Sequence, residues 1–253
     1  MSRFITKVTV TGADDSVNVS DLYNISQEYP FVEWGILLSR SRMTKQSHTG
    51  QGTRFPSEPW LVELAETYNN NSLNMNFSGH ICGGWMREIL VGHWPTLELA
   101  RIHPVLQSLF QRFQLNMHAE KLSWDFRALT TVLDKLDLED QSIIFPHDGI
   151  NHDLLYLARE AEHENIATLY DLSQGAGVLP STWPLPLPNV YCGYAGGLSP
   201  NNVADQLGKL DALIEGKHNV WIDAETFLRS HNDEVFDLGK VVNFLDAAKP
   251  WVL

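Results

Sequence analysis

The chain has 253 residues, 43% hydrophobic and 10% aromatic, enough for one large core. Eighteen Lys and Arg against 31 Asp and Glu give a formal net charge of −13, which excludes a general binder of nucleic acid or anionic membrane, because both need a cationic surface. Two cysteines, Cys82 and Cys192, exclude a disulfide framework and a Cys-rich zinc site.

The opening segment MSRFITKVTVTG breaks its apolar run with Lys7 and several threonines, so it does not read as a signal peptide. No segment reaches the roughly 18 apolar residues of a membrane span, and the expected compartment is the cytoplasm. In chain order the predicted strands are Phe4–Thr11, Phe31–Ser39, Leu73–His80, Phe113–His118, Ser142–Pro146, Ile166–Asp171, Val190–Gly193 and Val220–Ala224. Between most of them lie amphipathic stretches at Ser20–Tyr29, Glu58–Tyr68, Leu97–Phe110, Ser123–Leu136, Asp153–His163 and Asn201–Ile214, with a last one at Asp237–Ala248. Strands alternating with helices imply parallel βαβ units, and eight of them in about 250 residues predict a single-domain α/β fold, a parallel eight-stranded (β/α)8 TIM barrel over residues 1–253. An open doubly wound sheet is the alternative. The four prolines of GAGVLPSTWPLPLP, residues 175–188, predict a shortened or missing sixth helix. Ser199 before Pro200 reads as the N-cap of the seventh helix. Residues 39–56 read as a long loop on the side where barrels carry their binding residues.

Side chains alternate along a strand, so one set enters the barrel and the other meets the helices. In the fourth strand Phe113, Leu115, Met117 and Ala119 form the outer set, and Gln114, Asn116, His118 and Glu120 the inner set. The third strand opposes Leu73, Met75 and Phe77 to Asn74, Asn76, Ser78 and His80. The first strand offers Lys7, Thr9 and Thr11, and the second places Glu33 beside Gly35. Interior polar groups need hydrogen-bond partners, so the pattern predicts a polar pocket or a satisfied network with Lys7 paired to Glu33.

The stretch Tyr194-Ala195-Gly196-Gly197-Leu198-Ser199-Pro200-Asn201-Asn202-Val203 resembles the seventh-strand motif a-G-G-L-x-P-x-N-V of phosphoribosylanthranilate isomerases. Phe113-Gln114-Leu115 with His118, Ala119 and Glu120 is similar to the family's fourth strand, and Ala167–Asp171 followed by Gly175-Ala176-Gly177 to its sixth. The resemblance implies that Asp171 is the catalytic acid and that Gly196 and Gly197 present backbone N–H groups to a phosphate. It also implies that Arg54 holds a substrate carboxylate, with Arg40 and Arg42 as competitors. Two departures stand against the family's own reaction. Its opening K-x-C-G carries a catalytic Cys, and aligning Lys7 puts Thr9 there, a hydroxyl too weakly acidic to act as a base near neutral pH. Its eighth-strand D-x-S-S-G-x-E is replaced by Asp223-Ala224-Glu225-Thr226-Phe227-Leu228-Arg229, which lacks the glycine and sets an acid where a phosphate would bind.

The expected activity is therefore of the isomerase or lyase type, on a small sugar-derived or phosphorylated ligand, with Asp171 as acid and His118 or His147 as base. Thr9, Arg54, Asn116, Gly196, Gly197, Asp223 and Glu225 are the expected ligand contacts, in a mouth supplied with Arg, His and backbone N–H groups for an anion. No cofactor is expected. A divalent transition metal on His118, His147, Asp171 and Asp223 is an alternative, with hydrolase or lyase chemistry, and a non-catalytic binding barrel is another. No nucleic-acid or membrane partner is expected, and monomer and homodimer remain open. Cys82 reads as structural, and His80 is among the ionisable residues at strand ends expected to converge on one mouth.

Overall fold

In the computed structural model, which describes residues 2–40, 54–71, 75–93, 96–116, 125–138, 141–147, 152–173 and 176–253, the apolar runs pair as a closed barrel in sequence order, every neighbour parallel. Its strands are β1 (Ile5–Thr11), β2 (Val32–Leu38), β3 (Asn76–Ile81), β4 (Arg112–Leu115), β5 (Ser142–Pro146), β6 (Ile166–Tyr170), β7 (Tyr191–Tyr194) and β8 (Val220–Ala224). The outer ring contains α1 (Val19–Glu28), α2 (Glu58–Asn71), α3 (Gly84–Ile89), α4 (Thr96–Ile102), α5 (Leu106–Leu109), α6 (Phe126–Leu138), α7 (His152–Glu160), α8 (Val203–Ile214) and α9 (Leu238–Ala248). A two-stranded ribbon, β9 (Arg229–Ser230) with β10 (Val235–Phe236), follows β8. Among the described residues no helix is long and apolar enough to cross a membrane.

The helix expected at Leu97–Phe110 is divided into α4 and α5, and Pro104, which lacks a backbone N–H, stands at the break. The helix α3 was not expected. The start of the seventh helix also moves. Ser199 does not cap it; Asn202 precedes α8, and its side chain ties the Gly197 carbonyl (2.9 Å) to the Ser199 N–H (2.8 Å).

Between β6 and β7 the described residues form no helix. The proline-rich strap lies there instead, fastened by side chains from the outer faces of the two strands. Tyr170 donates to the Leu185 carbonyl (3.0 Å) and Tyr194 to the Pro184 carbonyl (2.8 Å). Trp183 stands edge-on to Tyr194 and donates from Nε1 to Gln206 on α8 (3.1 Å). Cys192 packs beneath as a buried thiol accepting from the Leu187 N–H (3.3 Å), as a structural cysteine should.

Inside the barrel the usual layers of branched aliphatics are confined to one side, where Ile144, Ala167, Leu169, Ala195 and Trp221 form an apolar cluster. The other side is ionic. Arg112 on β4, almost wholly buried, donates from Nε to Glu33 on β2 (3.0 Å) and pairs with it again through Nη2. Thr9 donates to the same carboxylate (2.9 Å), and Lys7, partly exposed, stands 3.7 Å from it. Burial alone would raise the Glu33 carboxyl, but Arg112 and Lys7 override it and hold the group below the usual carboxylate range. The guanidinium lies over the Trp221 ring, 4.4 Å from its centroid. Trp221 can cross the interior because its neighbour on β7 is Gly193, where any Cβ would collide with the indole.

Removing Arg112 while Glu33 stays buried should be severe. Arg112→Met is expected to lower unfolding free energy by about 3–5 kcal/mol in urea denaturation, and Glu33→Leu added to it should restore most of that loss. Equal stability of the single variant and the parent would show that Lys7 alone neutralises Glu33.

Candidate functional site

A cleft of about 200 Å³ opens at the carboxyl ends of the strands, below the roughly 300–1,000 Å³ of drug-sized sites and suited to a small metabolite. Strand parity decides which residues reach it. On β6 the inward set Ala167 and Leu169 continues to Asp171, and on β8 Trp221 continues to Asp223 and Glu225; all three carboxyls line the cleft. On β5 the inward residues are Ile144 and Pro146.

His147 therefore falls on the outward face with Ile143 and Phe145. Its ring packs against Tyr170, with centroids 4.8 Å apart, and it is not part of the cleft lining. The base expected at His147 is thus displaced by simple alternation. His118, Glu120, Asp148 and Arg42 lie outside the described residues. Among the described residues no three His, Cys, Asp or Glu side chains group as metal ligands, so His147, Asp171 and Asp223 do not assemble the expected metal set.

Asp223 is the most perturbed group of the cleft. Thr11, the last residue of β1, donates its hydroxyl to Asp223 Oδ1 (2.7 Å). Burial pushes the carboxyl up to about 8 against that hydrogen bond, reinforced by the negative fields of Glu225, Glu33 and Asp171. Thr9 lies deeper, spent on Glu33, and is not in the cleft lining. The glycine that ends the strand, Gly12 with φ +99°, follows Thr11. Thr9, expected as a ligand contact, is held inside the barrel instead.

Glu225 is held by Arg54 Nη1 (2.5 Å), whose Nε reaches Asp233 (2.5 Å). Burial raises the Glu225 carboxyl against the opposing Arg54 charge. Arg229 does not approach a ligand position: its guanidinium is buried on Asp14 (2.8 Å) and the Gly12 carbonyl (2.5 Å). Arg40 pairs with Glu88 and Glu98. The mouth expected to receive an anion is therefore lined by three carboxyls, and the cation beside it is engaged with Glu225 and Asp233.

Gly196 and Gly197 line the cleft with φ of +103° and +70°, conformations that favour glycine. Close approach is required here by the loop after β6. A Cβ on Gly197 would collide with the backbone of Leu179, and one on Gly196 would stand 3.0 Å from the Val178 carbonyl and 3.2 Å from Asp171 Oδ1. The turn fits against that loop, within reach of Asp171, which accepts at Oδ1 from Ser173 N–H (3.1 Å) and Oγ (2.7 Å).

The floor toward β3 and β4 holds His80, Gln114 and Asn116. Burial pushes the His80 imidazole down to about 4, so it stays neutral through the physiological range. Sequence reasoning missed Arg112, although counting back two residues from Gln114 would have found it. It also undervalued Asp223, whose proton affinity depends on groups from four strands.

No protein-family model matches the chain, and no curated protein matches it by sequence. Solved structures do match in fold. A phosphoribosylanthranilate isomerase from Thermotoga maritima is 14% identical, with 97% of this chain and 99% of that one aligned and a TM-score of 0.52. The carboxyl transferase domain of Rhizobium etli pyruvate carboxylase, solved with pyruvate, is 13% identical with a TM-score of 0.51; all of this chain aligns to 45% of that one. A 3-hexulose-6-phosphate synthase from Salmonella typhimurium is 10% identical, over 97% of this chain and 99% of that one, with a TM-score of 0.49. The first two matches agree with the TIM-barrel fold that the closed parallel barrel shows.

Asp223 makes stability depend on pH with a definite sign. Its folded pKa of about 8 lies above an unfolded value near 3.9. The stabilisation is fully present below the unfolded value and is lost as pH rises through about 8, at up to ~1.4 kcal/mol per pH unit. Asp223→Asn should remove that slope, so that the variant melts above the parent at pH 8 and loses the advantage toward pH 4. Parallel melting curves for the two proteins across this range would contradict the assignment.

Proposed function

We propose that the chain is a diverged phosphoribosylanthranilate isomerase-like barrel that performs acid–base chemistry, of the isomerase or lyase type, on a small sugar-derived metabolite. The observation that carries this reading is the buried Asp223 carboxyl, protonated near neutral pH and sharing a cleft with Asp171. A proton donor matched to the working pH beside a second carboxyl is the pairing that moves protons between adjacent carbons and oxygens. Asp223 is the donor. Asp171, oriented by Ser173, takes the proton from the substrate.

The family's own reaction is not proposed, because Thr9 stands where aligning Lys7 puts the family's cysteine, and the hydroxyls of Thr9 and Thr11 serve Glu33 and Asp223. A phosphorylated substrate is disfavoured by three carboxyls around the cleft and by the packing of Gly196 and Gly197 against the β6 loop. Gly196 and Gly197 act instead as close backbone contacts to a ligand oxygen, and Arg54 keeps Glu225 in place. A ligand-binding barrel without turnover is the second reading, favoured by Thr9 in place of a cysteine base and by the altered loop after β8.

Exchange of carbon-bound hydrogen with D2O, followed by proton NMR across a panel of aldoses and ketoses, separates the two. The parent should catalyse exchange on at least one sugar, and Asp171→Asn and Asp223→Asn should each lower the rate by about 10²–10⁴. Full activity in either variant removes that residue from the mechanism, and binding without exchange in the parent selects the second reading.

A further inference from the structure

We infer that the floor of the cleft carries a hydroxyl-reading subsite, in which Gln114 Oε1 accepts a hydrogen bond from one hydroxyl of a small uncharged sugar or polyol. The inference rests on the reading above for the cleft being where substrate binds, and it adds what the substrate must present there.

The orientation of Gln114 is set by a chain of four groups that begins at a backbone carbonyl. The Cys82 thiol donates to the His80 carbonyl (3.5 Å). With its single hydrogen used, Sγ is left to accept from Asn116 Nδ2 (3.3 Å). That fixes Asn116 Oδ1 toward Gln114, where it accepts from Nε2 (2.8 Å). Turning either amide over would set two acceptors against each other. Gln114 Oε1 is therefore committed as an acceptor, and it is buried with no partner among the described residues. An unpaired buried acceptor costs about 1–3 kcal/mol, a deficit that a ligand bringing a donor removes.

The rest of the floor narrows the donor. His80 Nε2 is also buried without a partner among the described residues, and the ring is neutral. A hydroxyl is complementary to a floor of one fixed acceptor and a neutral imidazole, because it both donates and accepts. A carboxylate or a fully ionised phosphate has no hydrogen for Gln114 Oε1, and either meets the fields of Asp171, Asp223 and Glu225. The subsite therefore selects against the charged end of a metabolite. The cysteine at the head of the chain is structural: burial pushes its thiol up to about 12, and its function is to hold a proton toward the His80 carbonyl.

Calorimetric titration with D-glucose, D-xylose and D-ribose, their deoxy analogues, glucose 6-phosphate and glucosamine tests the inference. At least one neutral sugar should bind, and loss of one of its hydroxyls should weaken binding about tenfold or more. Gln114→Leu should bind the parent sugar as weakly as its deoxy analogue and no longer distinguish the two. Gln114→Asn, which keeps the amide but withdraws it by one methylene, should lose the same discrimination in a folded protein. Retained discrimination in both variants, tighter binding of the phosphate or the amine than of the parent sugar, or binding of no neutral sugar would each overturn the inference. Asp223→Asn separates it from the acid–base reading. Turnover persisting in that variant sinks the acid–base assignment and leaves the Gln114 comparison standing, whereas sugar discrimination surviving at Gln114 does the reverse.

Discussion

The Glu33–Arg112 pair is the interaction on which the rest of the barrel depends. A closed parallel barrel must fill its interior, and this one fills half of it with charge. The arrangement is tolerable because Arg112 is engaged from three directions: Glu33 accepts two of its N–H groups, Thr9 lies beside it, and Trp221 covers its face, which leaves only Nη1 buried without a partner among the described residues. Gly193 is what lets Trp221 take that position. The same layer is the foundation of the cleft. Glu33 contributes to the field that keeps the proton on Asp223, so an interior structural charge also tunes the mouth.

The sixth βα unit shows how a chain can omit a helix without exposing the sheet. Helices cover barrel strands because the outward residues are apolar. Here the outward residues of β6 and β7 include Tyr170 and Tyr194, which cover the strands with their rings and hold an irregular segment by its carbonyls. A segment with four prolines has few N–H groups to satisfy, and its carbonyls are what tyrosine hydroxyls can reach. The strap thus presents the loop that packs over Gly196 and Gly197, and the missing helix and the glycine turn are parts of one device.

All eight strands and the missing helix were legible because they rest on periodicity and on proline, which are local properties. The errors are those of counting from the wrong origin. Starting β4 at Phe113 hid Arg112, one residue earlier and on the inward face. Thr9 was expected at the mouth, whereas its hydroxyl serves Glu33 deeper in the barrel. Alternation was not carried through β5, where Ile144 and Pro146 face in and His147 must therefore face out. Other features were not legible in principle. The affinity of Asp223 for its proton, and the commitment of Gln114 as an acceptor, depend in part on Thr11 and Cys82, which lie more than thirty positions away in sequence and come within reach only when the barrel closes.

That closure also gives the net charge of −13 a local meaning. An acidic chain could have placed its excess on the outer helices and left a cationic mouth. Instead Asp171, Asp223 and Glu225 converge, and the other two make Asp223 harder to ionise. The system resolves the repulsion unequally: Arg54 takes Glu225, Ser173 takes Asp171, and Asp223, given only a hydroxyl, keeps its proton. Three similar side chains thereby acquire three different roles from their neighbours alone. Thr11 completes the division. Its hydroxyl donates to Asp223 and leaves the carboxyl otherwise to burial and to its acidic neighbours.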